Sequence, residues 1–191
     1  MTGTRRRSAP STRAAILDAA RARFGSDGFD RVTLREIAQD VGVDPAMVVR
    51  YFGTKEKLFL AASEFDLGLP DLAGIAPGDL VDLLMPRFFA VWEGDASFLA
   101  LLRTAATSPV AADQLRELFT RQVLPALAAA AVDRPEQRAA LFGSQVLGLA
   151  FSRYVLGLEP LAAMSHDQLR AWIGPVLRQY LTGEPDPARR S

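Results

Sequence analysis

The stretch VTLREIAQDVGVDPAMVVRYFGTKEKLF, residues 32–59, decides the fold of this chain. Thr33 is a favourable N-cap, and Glu36 three residues later completes a capping box, in which each side chain binds the other residue's backbone N–H. Apolar residues then follow at helical spacing as far as Val41. Gly42 ends the helix, because glycine enters the left-handed conformation without steric cost. We therefore predict a short amphipathic helix here.

A second short helix follows this glycine almost at once. Asp44 is suited to the N-cap, and Pro45 to the first helical position, where its missing N–H is not needed. Val48 and Phe52 are four residues apart, so we expect both to face the first helix. Thr54 then caps a further helix. Two helices joined by a tight glycine-containing turn form a helix-turn-helix arrangement.

This motif resembles the DNA-binding domain of the TetR family of transcriptional regulators over about residues 12–62, most specifically in YFGTKEKLF at 51–59. The resemblance implies phosphate contacts at the start of the first motif helix and at the end of the second. It also implies a groove-facing surface on the second helix. The DNA-binding positions are then Thr33, Arg35, Asp44, Pro45, Ala46, Met47, Val49, Arg50, Tyr51, Thr54 and Lys55.

The groove-facing positions depart from the common family pattern. The family often has a serine and a lysine or proline at the start of this helix, and an aromatic residue where Val49 stands, whereas this chain has Asp44, Met47 and Val49 on the helix. Arg50 is left as the one strong hydrogen-bonding side chain, suited to a guanine edge. Lys55, at a capped helix start, is suited to a phosphate, although a solvated surface lysine is the alternative. DNA backbone contacts and deformability then carry much of the specificity.

Charge is distributed unevenly along a chain of 191 residues whose net charge is zero. Residues 1–60 carry 11 Lys and Arg against 7 Asp and Glu, or +4, and residues 61–191 carry 11 against 15, or −4. The basic part contains the motif, as a phosphate-binding surface requires. Its first ten residues form a predicted disordered arm in which Arg5, Arg6 and Arg7 either reach the DNA or only increase solubility.

Composition argues against several other functions. The chain has no cysteine and one histidine, His166, so thiolate or histidine metal sites and a nucleophile–base set are not expected. We therefore predict no enzyme activity, no metal and no cofactor, and interpret His166 as a surface residue. No apolar run reaches about 18 residues, which argues against a membrane span. A cytoplasmic location is expected.

The remaining pattern is helical to the end, which predicts an all-α fold of about nine helices. We expect a basic arm at 1–10, a DNA-binding domain at 11–66 with its motif at 33–52, a regulatory and dimerisation domain at 67–181, and a flexible tail at 182–191. The first helix is predicted from about Thr12, and the fourth as far as about Leu69, before Pro70. Phe29, after the first helix, is expected to pack under the motif, and Pro125 to kink its helix.

The last two helices carry small residues and an apolar stripe that must be buried. Ser165 and Gln168 form a predicted capping box at the start of the final helix. The family resemblance implies that they form a four-helix bundle in a homodimer. The candidate interface residues are Gly143, Leu147, Leu169, Trp172, Ile173, Val176, Leu177 and Tyr180. A small-molecule effector pocket is a further hypothesis, with core packing as the alternative for each aromatic residue. Its candidate residues are Phe88, Phe89, Trp92, Arg103, Phe119, Phe142, Gln145, Phe151 and Tyr154.

These features and the family resemblance together predict a homodimeric regulator that binds a palindromic DNA operator and is released by a small, largely apolar effector. The resemblance implies a repressor, since repression is the usual outcome in the family, but the sequence itself does not distinguish a repressor from an activator. Two recognition helices about 34–36 Å apart read successive major grooves, which gives one short helix enough specificity. The alternative is a helical ligand-binding or protein-interaction dimer that has lost sequence-specific DNA binding.

Overall fold

The computed structural model describes residues 9–76, 78–94 and 96–185, and these residues form helices and loops without a strand. The predicted all-α fold is confirmed. The three arginines of the N-terminal arm lie outside the described residues. None of the described helices is both long and apolar enough to cross a membrane.

The helices follow one another along the chain with short connections, apart from the 63–79 segment. They are α1 (Ala9–Asp27), α2 (Leu34–Val41), α3 (Pro45–Phe52), α4 (Lys55–Ala62), α5 (Leu80–Gly94), α6 (Ala96–Ala105), α7 (Pro109–Leu118), α8 (Leu124–Ala128), α9 (Pro135–Ala150), α10 (Glu159–Ala162) and α11 (His166–Thr182). Two π-helical turns, Phe119–Val123 and Phe151–Val155, directly precede α8 and follow α9.

The chain divides into two compact units. The first contains residues 9–64 and 96–114, and the second contains residues 65–94 and 115–185. Helices α1 to α4 and α6 therefore belong to the first unit. The division predicted near residue 66 stays a prediction, but in the structure the 96–114 segment groups with the N-terminal helices.

The core of the first unit is formed by the apolar faces that the sequence predicts. Val48 is fully buried and Phe52 is 8% exposed, so both face inward from α3 as expected. Phe24 of α1 and Phe59 of α4 meet edge to face with ring centroids 5.2 Å apart. Phe29, in the loop after α1, lies 5.0 Å from Phe59 and so supports the motif from below, as predicted.

Helix α6 lies unusually close to α1. A Cβ atom added at Gly25 would lie 2.8 Å from the Ala96 Cβ, which is too near for any side chain. Ser97 donates a hydrogen bond to the Arg21 carbonyl, and Arg103 donates one to the Gly25 carbonyl. Gly25 therefore permits a contact that these two polar side chains secure.

Helix α1 begins earlier than predicted, and α4 ends earlier. Helix α1 starts at Ala9 rather than Thr12, because Pro10 fits the first turn of a helix, where its N–H is not needed. Helix α4 ends at Ala62, with Ser63 as its C-cap, rather than near Leu69. The residues that follow, 64–72, form no regular secondary structure.

A long-range contact explains this early end of α4. The Gln122 side-chain amide donates to the Phe65 carbonyl at 2.6 Å and accepts from the Leu67 N–H at 2.7 Å. Arg87 also donates to the Leu67 carbonyl. These bonds satisfy backbone groups that a longer helix would have used internally.

In the second unit, α11 packs against both α5 and α9. Leu84, Phe142, Leu169 and Leu177 are among its buried side chains. The predicted capping box of α11 is confirmed, since Ser165 accepts from the Gln168 N–H and Gln168 accepts from the Ser165 N–H. The irregularity expected around Pro125 takes the form of the π-turn Phe119–Val123 directly before α8.

Candidate nucleic-acid interface

Helix α2 is anchored at both ends by local hydrogen bonds. Thr33 Oγ1 accepts from the Glu36 N–H at 3.3 Å, and the Glu36 carboxylate accepts from the Thr33 N–H at 2.8 Å. These bonds from Thr33 lower the pKa of Glu36. Gly42 ends the helix with φ 74° and ψ 38°, in the left-handed conformation predicted for it. The start of α2 therefore has a fixed geometry, with Arg35 exposed in its first turn.

Helix α3 is similarly fixed and has one open face. Asp44 accepts a hydrogen bond from the Ala46 N–H at 2.8 Å, which confirms it as the N-cap. The side of the helix away from α2 carries four exposed residues, with Val49 49% exposed. They are Pro45, Ala46, Val49 and Arg50. This is the outward-facing set that the sequence predicts, and it lies opposite the buried Val48.

The remaining predicted residues lie at the ends of this face. Met47 is half-buried and accepts a weak hydrogen bond from Arg50, with a sulfur–nitrogen distance of 3.6 Å. Arg50 also lies 5.5 Å from the ring centroid of the half-buried Tyr51. Thr54 caps α4 by accepting from the Lys57 N–H. These contacts hold Arg50 along the exposed face of α3.

Lys55 is held more tightly than the sequence suggests. Its ammonium donates to the Asp30 carbonyl at 3.2 Å and lies 4.5 Å above the Phe29 ring. It is half-buried, unlike the solvated lysine of the alternative interpretation. An ammonium group has three donors, so this carbonyl bond leaves two of them for another acceptor.

Ion pairing separates the arginines of the first unit into two groups. Arg21 binds Asp18 at 3.3 Å, and Arg23 binds Asp40 at 2.6 Å. Within the described chain, neither Arg35 nor Arg50 has a carboxylate within 4 Å. Arg35 of α2 and Arg50 of α3 are thus exposed positive charges without a carboxylate partner among the described residues. The Arg23–Asp40 pair was not predicted, because no local pattern connects residues 17 positions apart.

In the second unit, five of the predicted pocket residues form one aromatic cluster. Phe88 lies 5.9 Å from Trp92 and 6.0 Å from Phe142, Phe89 lies 5.6 Å from Trp92, and Trp92 lies 5.8 Å from Tyr154, all between ring centroids. Four of these five side chains are buried, and Tyr154 is half-buried. The contacts bring α5 together with α9 and the π-turn that follows it.

The polar end of this cluster includes the histidine of the chain. His166 stacks on Phe89 with ring centroids 3.9 Å apart and also binds Glu93 at 2.8 Å. Tyr154 donates to the same Glu93 carboxylate at 2.6 Å. Burial, followed by this bond to Glu93, raises the pKa of Tyr154 to about 12. His166 is solvent-exposed as predicted, but it is also part of this network.

The other predicted pocket residues are placed differently. Phe119, Gln145 and Phe151 are half-buried, and Phe119 packs against Gly143. Arg153 donates to the Leu161 carbonyl. Arg103 belongs to the first unit, where it donates to the Gly25 carbonyl. A cleft of about 260 Å³ in the second unit is lined by other residues, including Arg134, Arg138, Leu141 and Tyr180.

The predicted dimer residues separate into an inner and an outer set. Leu169, Leu177 and Gly143 are buried within the chain, so they are unavailable to a partner and the prediction is wrong in placing them at a surface. Leu147, Ile173 and Tyr180 are half-buried. The outer set consists of Trp172, 73% exposed, and Val176, 37% exposed. The sequence did not point to Leu141 of α9, which is 50% exposed.

Comparison with known sequence families identifies both parts of the chain. Residues 16–62 match the family of bacterial regulatory proteins called the tetR family. Residues 68–181 match the tetracyclin repressor-like C-terminal domain. The chain belongs to the TetR family. It is a transcriptional regulator with a helix-turn-helix DNA-binding domain, in a family of transcription factors rather than enzymes.

Individual TetR-family proteins agree with this assignment. A crystal structure of a TetR-family regulator from Streptomyces coelicolor A3 is 32% identical, with a TM-score of 0.63, over 94% of this chain and 99% of that chain. The HTH-type transcriptional regulator BetI of Rhizobium meliloti is 44% identical over 59 residues, which are 31% of this chain and 29% of that protein. The BetI regulator of Brucella anthropi is 44% identical over 52 residues, or 27% of each chain. These BetI matches therefore cover less than a third of each relative.

Proposed function

We propose that this TetR-family regulator is a homodimeric repressor that binds a palindromic DNA operator through α3 and is released by a small, largely apolar effector. The observation that carries the proposal is the exposed face of α3, where Arg50 lies beside Ala46 and Val49 without a carboxylate partner among the described residues. A guanidinium group binds the O6 and N7 atoms of guanine with two hydrogen bonds. Alanine and valine methyl groups suit the methyl group of thymine.

Residues at the starts of α2 and α4 are suited to bind phosphates beside the exposed face of α3. Thr33 and Arg35 lie at the N-terminus of α2, and Thr54 and Lys55 at the start of α4. Lys55 is positioned by Phe29 and the Asp30 carbonyl, so little side-chain entropy remains to be lost when it binds a phosphate. We expect these contacts to fix the register of α3 in the major groove.

Dimerisation is supported by the outer face of α9 and α11, formed by Leu141, Trp172 and Val176. Exposed tryptophan is uncommon on a monomer surface, and tryptophan is enriched among the residues that contribute most to protein interfaces. Ser144 and Gly148 of α9 are also exposed, and such small side chains let two helices approach closely. A symmetric dimer would place two α3 helices for a palindrome.

An effector site is supported by the aromatic cluster of the second unit. Its apolar part, Phe88, Trp92 and Phe142, adjoins polar atoms of Glu93 and Tyr154. Apolar walls with a few oriented polar groups are typical of small-molecule sites. A coupling of about 1–3 kcal/mol between the two sites would weaken DNA binding by about 5–150-fold.

Selection of binding sites from random duplex DNA with the purified full-length protein, at a stated salt concentration, tests the first part of the proposal. An enriched palindrome is the expected result. Failure of a folded, dimeric protein to enrich any site would instead favour a helical binding module without sequence-specific DNA recognition. The selected operator then serves in a titration of candidate effectors, and a broad panel without any effect on affinity would contradict release by a ligand.

A further inference from the structure

Two arginines lie against an aromatic pair at the C-terminal end of α3. The Arg50 guanidinium lies 5.5 Å from the Tyr51 ring centroid, and the rings of Tyr51 and Phe52 are 6.5 Å apart. On the Phe52 side, the guanidinium of Arg13 from α1 lies 5.0 Å from the ring centroid. Arg13, which precedes Arg50 by 37 positions in the sequence, thus places a second guanidinium beside α3.

The positive charge of Arg13 is available to a ligand. Arg13 is exposed, and no carboxylate within the described residues lies within 4 Å of it. Two other arginines of the same helix differ, since Arg21 and Arg23 bind Asp18 and Asp40. Among these three arginines of α1, the two that lie away from α3 are paired with carboxylates. Arg13, which contacts Phe52 of α3, has no carboxylate partner in the described part of the protein.

Phe52 gives this guanidinium a defined position. Phe52 is only 8% exposed and belongs to the core of the first unit. Arginine stacks on aromatic faces through the plane of its guanidinium group. The N–H donors lie in that plane and remain available at its edge, where phosphate oxygens accept two parallel hydrogen bonds.

We propose that Arg13 is a phosphate-binding residue of the DNA interface, positioned beside the end of α3 by its cation–π contact with Phe52. This inference rests on the proposed binding of DNA by α3. In a symmetric dimer Arg13 contributes one phosphate contact per half-site. Because it contacts no base, it strengthens binding to all sequences alike and increases the salt dependence of affinity.

The test compares wild type with Arg13→Gln and Arg13→Lys in the full-length dimer, on the selected operator and on a random duplex, between about 50 and 200 mM salt. Arg13→Gln should weaken binding to both duplexes by a similar factor. The variant dimer lacks two phosphate contacts, so the factor by which its affinity falls across this salt range should be about ten-fold smaller than for wild type. Arg13→Lys keeps the charge and should retain most of the salt dependence.

A matched charge variant and a stability measurement distinguish phosphate binding from a purely structural role. Arg121→Gln removes an equal charge from the second unit, where Arg121 pairs with Glu117, and should leave DNA binding unchanged. If wild type binds DNA and Arg13→Gln binds with the same affinity and salt dependence, the inference about Arg13 is overturned. The proposed function is upheld in that case. A lower melting temperature with unchanged salt dependence would also overturn the inference about Arg13, in favour of a stack that only stabilises the fold. Absence of DNA binding by wild type would instead reject the proposed function.

Discussion

Arg23 on α1 donates two hydrogen bonds to the carboxylate of Asp40 on α2, at 2.6 and 2.8 Å. These bonds favour the charged carboxylate and lower the pKa of Asp40. Arg23 also contacts Asp27 at 3.6 Å. This two-bond ion pair joins α1 to α2, the first helix of the motif, and so fixes the orientation of the motif relative to α1.

Asp40→Asn should therefore lower the free energy of unfolding at neutral pH. Because the folded-state pKa of Asp40 lies below its ordinary value, its contribution is present above that value and is lost as the pH falls through the lowered pKa. The difference between wild type and Asp40→Asn should then decline below about pH 4. Urea unfolding at several pH values measures it. Asp18→Asn is the matched control, because Asp18 lies at the surface and accepts one hydrogen bond from Arg21. A stability difference between wild type and Asp40→Asn that did not change with pH would contradict the role assigned to Asp40.

The two capping boxes should stabilise different units. Thr33→Ala removes the acceptor for the Glu36 N–H and should cost about 0.5–2 kcal/mol. Ser165→Ala removes the equivalent acceptor of α11 and should cost a similar amount. Hydrogen exchange should increase in α2 for the first variant and in α11 for the second. Thr33→Ser retains the hydroxyl and should behave like wild type, and equal exchange changes in both helices would contradict the prediction.

Tyr154 should ionise at a higher pH than an ordinary tyrosine side chain. Burial and the bond to Glu93 raise its pKa to about 12, so its stabilising contribution is complete below the ordinary tyrosine pKa of about 10 and is lost as the pH rises from there towards 12. The absorbance of tyrosinate follows this titration. Tyr154→Phe should remove the late component, and Glu93→Gln should move it to lower pH. A titration without a late component in wild type would contradict this placement.

Local signals made α2, α3 and the start of α11 predictable from the sequence. The capping boxes of Thr33 and Ser165 and the left-handed Gly42 are each determined by residues within one turn. Such features depend on backbone hydrogen bonds that only neighbouring residues can satisfy. The outward position of Val49 and Arg50 followed from the same helical spacing, because Val48 and Phe52 fix the buried side.

Contacts between distant residues were not predictable in the same way. The α4 helix ends early because Gln122 binds the backbone of Phe65, 57 positions away, and no pattern near residue 65 indicates this. The same limit applies to Arg13, which lies over Phe52, 39 positions away, because of how α1 packs against α2 and α4. Among the residues of α11, periodicity indicated one wide apolar stripe, but it did not show which side faces the chain's own core.

Trp172 should be essential for the proposed dimer. Since it is 73% exposed in the single chain, Trp172→Glu should not disturb the fold but should place a charge in the interface. We expect a folded monomer by sedimentation equilibrium, with much weaker binding to a palindrome because the two half-sites are no longer bound together. Val110→Glu adds the same charge at an exposed apolar position of α7 and is the control. A Trp172→Glu protein that remained dimeric would place the interface elsewhere.

Arg50 and Lys55 should contribute to DNA binding in different ways. Arg50→Ala removes the side chain proposed to read a base, so specific binding should weaken by about 1–3 kcal/mol, with relaxed preference at one position per half-site. Lys55→Ala should weaken binding to all sequences and reduce the salt slope by about 1 per subunit. Affinities on the selected operator and on random DNA, each at several salt concentrations, measure both effects. Identical behaviour of the two variants on both duplexes would show that Arg50 does not read a base.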